Sequence, residues 1–334
     1  RLHYQSFKRL KFLFNIMKKL LAIVVMGLLL SGNSFANDNR KCINETGFVS
    51  DKFNFSKTIK FEDPENTLIF MYHHGGAAEE ARTSDCVFNE VNIKNAIKLT
   101  KEDFGTKYSY LYVVNTKPLY GDAYKDRKNK TKWKAFPVGE YPGKTKIEKK
   151  IDLINEINEN FYSQGIKPEN IITTGHSNGG YASLLYTARH PDKVRGAIAY
   201  HPACCGKLTK SDIATEKGRK KWLKDENWKC PIKEKGKYPC AEAFWTFRSK
   251  IIDEILSNNN LKAVVIHNND DPYDGEHSEW LKQIKTVKFI ETPGKKDKWK
   301  INGKSCKSWK PFGHNVHASP CMSEYFPEII AYFK

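Results

Sequence analysis

The sequence lacks the patterns that mark several protein classes. No apolar run reaches the roughly 20 residues that a membrane-spanning helix needs, and residues 20–30 form only a short one. The 8 cysteines include no CxxC pair, which argues against a zinc ribbon or a thioredoxin-like site. No HExxH spacing points to a metallopeptidase. No repeat or low-complexity linker divides the chain, which favours one domain with insertions.

Acidic side chains are scarce relative to basic ones. The chain has 38 Asp and Glu against 56 Lys and Arg, a net charge of +18, with 40% hydrophobic residues for a core. The basic excess gathers in segments 117–134 and 206–240, and the second, with Trp222 and Trp228, is predicted to be a Lys-rich, cap-like insertion. Basic patches with aromatic residues can bind single-stranded nucleic acid. Because Lys prevails over Arg and no nucleic-acid module is present, we expect a solvated surface and no nucleic-acid partner.

The N-terminal residues have the pattern of an export signal. Met17 is followed by two lysines, by the apolar run 20–30 and by the small residues Ser34 and Ala36. A basic start, a short apolar centre and small residues at the cleavage point are typical of a signal peptide. We therefore expect residues 1–16 to be an upstream extension and 17–36 a cleaved signal. Residues 37–334 are then a single exported domain, periplasmic or secreted, with no integral membrane segment.

The cysteines fit that compartment. An even number of cysteines in an oxidising environment favours disulfides over metal ligands. Eight cysteines allow many connectivities, so pairing from sequence is a hypothesis. The local pairs that we predict are Cys230–Cys240 and Cys306–Cys321, with Cys42–Cys86 as a weaker third pair.

Strand-like and helix-like patterns alternate after about residue 60. Short apolar runs predict strands at 67–74, 108–115, 170–174, 194–200, 261–266 and 287–291. Apolar residues at helical spacing predict helices at 146–162, 178–190 and 322–333. This alternation indicates an α/β protein with a mostly parallel sheet flanked by helices.

Residues 175–180, GHSNGG, match the pattern G-x-S-x-G. The match lies between a predicted strand and a predicted helix, where a sharp turn exposes the serine hydroxyl above the sheet. The helix N-terminus there directs backbone N–H groups toward developing negative charge. Ser177 is therefore a candidate nucleophile, although a serine in an ordinary glycine-rich turn has the same pattern.

A serine nucleophile needs a base and an acid that orients the base. In this strand–turn–helix setting the chain order is Ser, then Asp or Glu, then His, and Asp271 and His314 follow Ser177 in that order. Asp271 comes just after a predicted strand, and His314 precedes the last predicted helix. Competing candidates remain at both positions, namely Asp270, Asp274 and Glu276 for the acid and His317 for the base. His176 precedes the nucleophile, so its side chain is expected to point elsewhere.

Two backbone N–H groups must bind the oxyanion of an acyl-transfer reaction. One comes from the residue after the nucleophile, Asn178, and the other from a loop after an early strand. Gly76 in the sequence HHGG is the candidate there, although two glycines after a strand can simply form a turn. A metal site built from His73, His74 and His267 is the alternative, and no metal-binding spacing supports it.

With these residues the chain resembles the α/β-hydrolases, in particular the secreted dienelactone-hydrolase-like esterases. The segments that carry the resemblance are HHGG at 73–76, GHSNGG at 175–180, AYHPAC at 199–204, HNNDDP at 267–272 and GH at 313–314. The resemblance implies Ser177, Asp271 and His314 as a triad. Dienelactone hydrolases have a cysteine nucleophile where this chain has Ser177, so their lactone chemistry is not expected.

The sequence thus predicts a serine hydrolase that cleaves carboxylic esters through an acyl-enzyme and needs no cofactor. Its substrate would be a small-molecule or polymeric ester. One alternative is a serine peptidase or amidase on the same fold, because GHSNGGY also resembles prolyl-oligopeptidase-type enzymes. Another is a non-catalytic module that binds anionic surface polymers through its basic segments. The sequence predicts neither the oligomeric state nor the acyl and alcohol groups.

Overall fold

The structure is a computed structural model. It describes residues 42–43, 45–52, 54–75, 88–115, 146–203, 250–258, 260–268, 270–271, 278–294, 299–301, 304–305, 314 and 319–334. All of these belong to one compact unit, Cys42–Lys334.

Strands and helices alternate along most of this unit. The strands are β1 (Cys42–Ile43), β2 (Gly47–Val49), β3 (Phe55–Ser56), β4 (Thr67–His73), β5 (Phe88–Asn89), β6 (Tyr108–Val114), β7 (Ile171–His176), β8 (Gly196–Tyr200), β9 (Ala263–His267), β10 (Val287–Glu291), β11 (Lys300–Ile301) and β12 (Lys304–Ser305). The α-helices are α1 (Glu90–Thr100), α2 (Lys146–Ser163), α3 (Asn178–Arg189) and α4 (Phe326–Phe333), and residues 250–256 are also helical. Short 3₁₀ helices cover Pro64–Asn66, Pro168–Asn170, Pro191–Lys193, Glu279–Gln283 and Pro320–Tyr325.

An 8-stranded sheet in the order β10-β9-β8-β7-β4-β6-β2-β3 is the centre of the fold. Neighbours from β10 to β6 are parallel, and β2 and β3 complete one edge by antiparallel pairing. The predicted mostly parallel sheet is confirmed. The chain runs from β4 to β6 on one side and then returns to β7 on the other. A crevice forms outside the carboxyl ends of parallel strands where the strand order reverses in this way.

Apolar side chains cover both faces of the sheet. Successive residues of a strand point to opposite faces, and β4 shows this, with Ile69 and Met71 in one core cluster and Leu68, Phe70 and Tyr72 in the other. The first cluster includes residues of α2 and α3, and the second includes residues of α1 and α4. The sheet is therefore buried on both sides, which explains the near-continuous apolar runs of its strands.

The predicted elements agree with the structure to within about two residues, except at the C-terminus. The helix predicted over 322–333 is a 3₁₀ turn, Pro320–Tyr325, followed by α4 from Phe326. Pro327 explains the difference, because it has no N–H to donate to the preceding turn and is tolerated only in the first turn of an α-helix. Helix α1 and the short strands β2 and β3 were not predicted.

Several predicted features lie outside the described residues. They are the signal segment 17–36, the cap-like insertion 206–240 and all of segment 117–134. Within the described part of the chain, no helix has the length and apolar character needed to cross a membrane.

Candidate active site

The turn after β7 holds Ser177 in an uncommon backbone conformation. Its φ is 55° and its ψ is −123°, a region that non-glycine residues rarely adopt and that concentrates at functional sites. Two backbone hydrogen bonds stabilise the turn, from Ser177 N–H to the Tyr200 carbonyl at 2.9 Å and from Tyr181 N–H to the Ser177 carbonyl at 3.1 Å. Among the described residues, no backbone N–H of α3 donates a capping bond to the Ser177 hydroxyl.

Glycines make this turn sterically possible. A Cβ on Gly175 would lie 2.5 Å from the carbonyl carbon of Gly179, and a Cβ on Gly179 would lie 2.4 Å from the His73 carbonyl oxygen. Contacts below 3.0 Å with backbone atoms force the backbone to move. The segment that follows β4 also lies close to the nucleophile, since a Cβ on Gly75 would be 2.8 Å from Ser177 Cβ. Close packing at the crevice between β4 and β7 therefore requires the two glycines of the G-x-S-x-G pattern.

His314 and Asp271 form a buried pair. His314 Nδ1 lies 2.8 Å from Asp271 Oδ2, and the two side chains are 7% and 3% exposed. A carboxylate can only accept, so His314 Nδ1 donates the proton. This fixes the tautomer and leaves Nε2 as the basic nitrogen of the ring.

Hydrogen bonds connect the loop that carries Asp271, after β9, to the residues that follow β10. The Asp271 N–H donates to the Asn268 carbonyl at 2.9 Å, and the Asp270 N–H donates to Asn268 Oδ1 at the same distance. Asn268 is fully buried, and its amide donates to Thr292 Oγ1 and to the Pro293 carbonyl, each at 2.9 Å. Asn268 thus ties the acid loop after β9 to the end of β10, a role that the sequence analysis missed.

His176 lies against His314. The expectation that its side chain points elsewhere is wrong, because the two rings are 4.6 Å apart and His176 Nε2 is 2.8 Å from the His314 carbonyl oxygen. Burial lowers the pKa of His176 well below its usual value, with electrostatic repulsion between the two imidazoles as the next cause. His176 is therefore neutral at ordinary pH.

A buried lysine supports the loop that leads to Gly76. Lys150 of α2 is fully buried, and its ammonium nitrogen donates to the His74 carbonyl at 2.9 Å. His74 Nδ1 lies 2.8 Å from the carbonyl oxygen of Gly75. Sequence reasoning missed Lys150 because a lysine within an otherwise amphipathic helix reads as a solvent-facing residue.

Three further histidines are buried near the same edge of the sheet, namely His73, His201 and His267. Burial lowers the pKa of His73 to about 3, with a smaller contribution from Lys150. His201 has a φ of 43°, and its N–H donates to the Ile266 carbonyl at 2.8 Å. Within the described ranges, no three His, Cys, Asp or Glu residues are grouped as a metal site requires.

Three of the residues singled out in the sequence are among the described ones, and two of them, His314 and Asp271, are hydrogen-bonded to each other. Ser177 and Asp271 follow parallel strands at the carboxyl edge of the sheet, and His314 contacts Asp271. Asn178 is the first residue of α3, directly after Ser177. Gly76, Asp274, Glu276 and His317 lie outside the described residues.

The predicted disulfide pairs fall mostly outside the described part as well. Cys321, in the 3₁₀ helix Pro320–Tyr325, is buried, and its sulfur is disulfide-bonded. The side chains of the other cysteines are not among those described. The pairings Cys230–Cys240, Cys306–Cys321 and Cys42–Cys86 thus stay predictions.

Solved structures of esterases align with much of the chain at low identity. A carboxylesterase of the thaumarchaeon Nitrososphaera gargenis is 14% identical with a TM-score of 0.43 over 80% of this chain and 90% of its own. Brefeldin A esterase, a bacterial homologue of human hormone-sensitive lipase, is 17% identical with a TM-score of 0.42 over 90% and 79%. Est1E of Butyrivibrio proteoclasticus, solved with ferulic acid, is 14% identical with a TM-score of 0.44 over 82% and 92%.

No family model matches the sequence, and no curated protein matches it either. The fold assignment therefore depends on the strand order itself. A mostly parallel sheet of 8 strands with one antiparallel edge, and a serine turn between the central strand β7 and the helix that follows it, are the defining features of one architecture. The chain has the α/β-hydrolase fold.

Proposed function

We propose that this protein is a serine hydrolase that cleaves carboxylic esters. The observation that carries the proposal is the combination of Ser177 on a strained turn with the buried His314–Asp271 pair, whose Nδ1–Oδ2 distance is 2.8 Å. A positive φ at a non-glycine residue is a conformation that concentrates at functional sites, and a buried carboxylate fixes the tautomer of the imidazole beside it. Together they supply the nucleophile, base and orienting acid of acyl transfer.

Each of the three residues has one task in the proposed reaction. His314 Nε2 takes the proton of the Ser177 hydroxyl while the Ser177 oxygen attacks the ester carbonyl carbon. His314 then gives that proton to the departing alcohol oxygen, which leaves an acyl group on Ser177. A water molecule gives a proton to His314 while the water oxygen attacks this acyl group. The tetrahedral intermediate then releases the carboxylic acid, and His314 returns the proton to the departing Ser177 oxygen. Asp271 accepts from Nδ1–H throughout and stabilises the charged imidazolium.

The oxyanion of each tetrahedral intermediate needs two donors. We assign these to the N–H groups of Asn178 and Gly76. Asn178 begins α3, where backbone N–H groups lack partners within the helix. A Cβ on Gly75 would lie only 2.8 Å from Ser177 Cβ. The residue just before Gly76 is therefore beside the nucleophile, which supports the assignment of Gly76.

We also propose that the protein is exported after cleavage behind Ala36 and that Cys321 pairs with Cys306. The basic, apolar and small-residue segments of 17–36 support the first statement. The disulfide-bonded state of Cys321 supports an oxidising compartment. N-terminal sequencing of the protein released by the cell, and peptide mapping without reduction, test the two statements separately.

A matched set of substrates tests the proposed reaction. The purified protein should hydrolyse 4-nitrophenyl acetate and butyrate, and Ser177→Ala should abolish this activity while the far-UV circular dichroism stays unchanged. The corresponding 4-nitroanilides separate an esterase from an amidase. Hydrolysis of the esters that persists in Ser177→Ala would contradict the assignment of the nucleophile. Faster cleavage of the anilides would favour the amidase alternative.

A further inference from the structure

We propose that His176 is a positioning residue, which holds His314 beside Ser177 by donating a hydrogen bond to its backbone carbonyl. This inference rests on the proposed function, in which His314 is the base. His176 Nε2 lies 2.8 Å from the His314 carbonyl oxygen, although the two residues are 138 positions apart in the chain. Their rings are also in contact, with centroids 4.6 Å apart and a tilt of 51°.

The direction of this hydrogen bond is fixed by its acceptor. A backbone carbonyl can only accept, so His176 must carry a proton on Nε2. Both residues are buried, at 6% and 5% exposure. Because burial lowers the pKa of His176 well below its usual value, the ring has a single proton and stays neutral at ordinary pH. A neutral donor beside His314 adds no positive charge that would oppose proton uptake by the base.

His176 connects the nucleophile and the base directly. It is the last residue of β7, where it pairs with Tyr200 of β8, and Ser177 follows it in the chain. Its hydrogen bond fixes the backbone of His314, whereas Asp271 fixes the other end of the same residue through Nδ1. With both ends fixed, the imidazole has little freedom to move away from Ser177. Base and nucleophile must lie within hydrogen-bond reach for proton transfer.

The ring of His176 is itself held from its other side. A Cβ on Gly75 would lie 3.1 Å from His176 Nδ1 and 2.8 Å from Ser177 Cβ. The Gly75 backbone therefore lies against both the nucleophile and the ring. His176 is packed between this loop and His314, so tilting the ring away from either neighbour meets the other. The space thus accepts a flat group, and the proposed role needs a donor at the reach of Nε2.

Three substitutions separate the donor from the ring. His176→Gln places an amide N–H at about the reach of Nε2, and His176→Phe keeps a flat ring without a donor. For His176→Phe we expect kcat on 4-nitrophenyl butyrate to fall roughly 10- to 100-fold, with KM little changed, because the substrate contacts remain. His176→Gln should restore most of the rate. If His176→Phe does not fold, His176→Asn, whose amide is too short to reach the carbonyl, gives the same comparison.

A second measurement does not depend on catalysis. The proton on His314 Nδ1 should give a slowly exchanging downfield NMR signal in the wild type and in His176→Gln, and this signal should broaden or vanish in His176→Phe. A wild type without Ser177-dependent hydrolysis would refute the proposed function, and the NMR comparison would still decide the role of His176. Equal rates and equal signals in His176→Phe and wild type would overturn the inference, and so would equal losses in the Phe and Gln variants.

Discussion

The glycine at position 179 is expected to tolerate no side chain. A Cβ there would lie 2.4 Å from the His73 carbonyl oxygen and 2.7 Å from that of His74. His73 is the last residue of β4 and His74 follows it directly. Because β4 is held between β6 and β7, neither carbonyl can move far without distorting the centre of the sheet. We expect the clash in Gly179→Ala to cost about 3 kcal/mol. The better helix propensity of alanine offsets about 1 kcal/mol of that.

Gly180 is the matched control, because it follows in the same helix. A Cβ on Gly180 would lie 3.1 Å from the Gly175 carbonyl oxygen and 3.4 Å from Pro202 Cα, distances that a shift of a few tenths of an ångström relieves. Gly180→Ala should therefore be close to neutral, and Gly179→Ala should lose about 2 kcal/mol net. Urea unfolding followed by tryptophan fluorescence measures both. Equal stability of the two variants would refute the packing argument for the motif.

Three further predictions follow from buried polar groups. His73, with its pKa lowered to about 3, stays neutral in the native protein while the unfolded chain takes up a proton. His73 should therefore reduce the free energy of unfolding by about 2 kcal/mol at pH 5 relative to pH 7.5, and His73→Leu should remove this part of the acid sensitivity. Lys150→Met should lower kcat roughly tenfold, because the side chain no longer holds the His74 carbonyl. It should cost little stability, because a packed apolar side chain replaces a buried ammonium. Asn268→Ala should lower both kcat and stability, the latter by about 1–3 kcal/mol, since buried carbonyl oxygens lose their donor.

The controls lie close to these positions. Lys149 is exposed next to Lys150, and Asn260 is exposed before β9, so Lys149→Met and Asn260→Ala should leave kcat and stability unchanged. An equal effect of Lys149→Met and Lys150→Met on kcat would contradict the role given to the Lys150 hydrogen bond. If the free energy of unfolding falls equally in wild type and in His73→Leu between pH 7.5 and 5, the claim that His73 stays neutral in the native protein is wrong. Wild-type activity in Asn268→Ala would show that the acid loop needs no such anchor.

The parallel strands were predictable because each is buried on both faces. Val287–Glu291 matches its predicted range, and Thr67–His73 differs from it by one residue. Helix α1 was not predicted, although Ile93, Ala96 and Ile97 are buried at helical spacing. The apolar pattern of a helix was therefore present in the sequence. Strands β2 and β3 had no such signal, since they are 3 and 2 residues long. Pairing of Phe48 with Tyr112 across the sheet edge determines them, and that is a tertiary contact.

The candidate site divides in the same way. Ser177, Asp271 and His314 could be selected from the sequence because a motif, a strand end and the chain order restrict them. Among the acids near residue 270, the structure places the Asp271 carboxylate at His314 Nδ1. His176, Lys150 and Asn268 act on backbone carbonyls that are distant in sequence, at separations of 138, 76 and 25 residues. No local pattern encodes a bond from a side chain to a distant backbone atom, so these roles needed the fold.

Labelling with a fluorophosphonate probe tests the central claim most directly, because the probe reacts with a serine only when a neighbouring base activates it. The folded, disulfide-intact protein should be labelled, and peptide mass spectrometry should locate the adduct on Ser177. Ser177→Ala should not be labelled, and His314→Ala should react far more slowly than wild type. Absence of labelling in the folded wild type, or an adduct on another serine, would contradict the claim that Ser177 is the activated nucleophile.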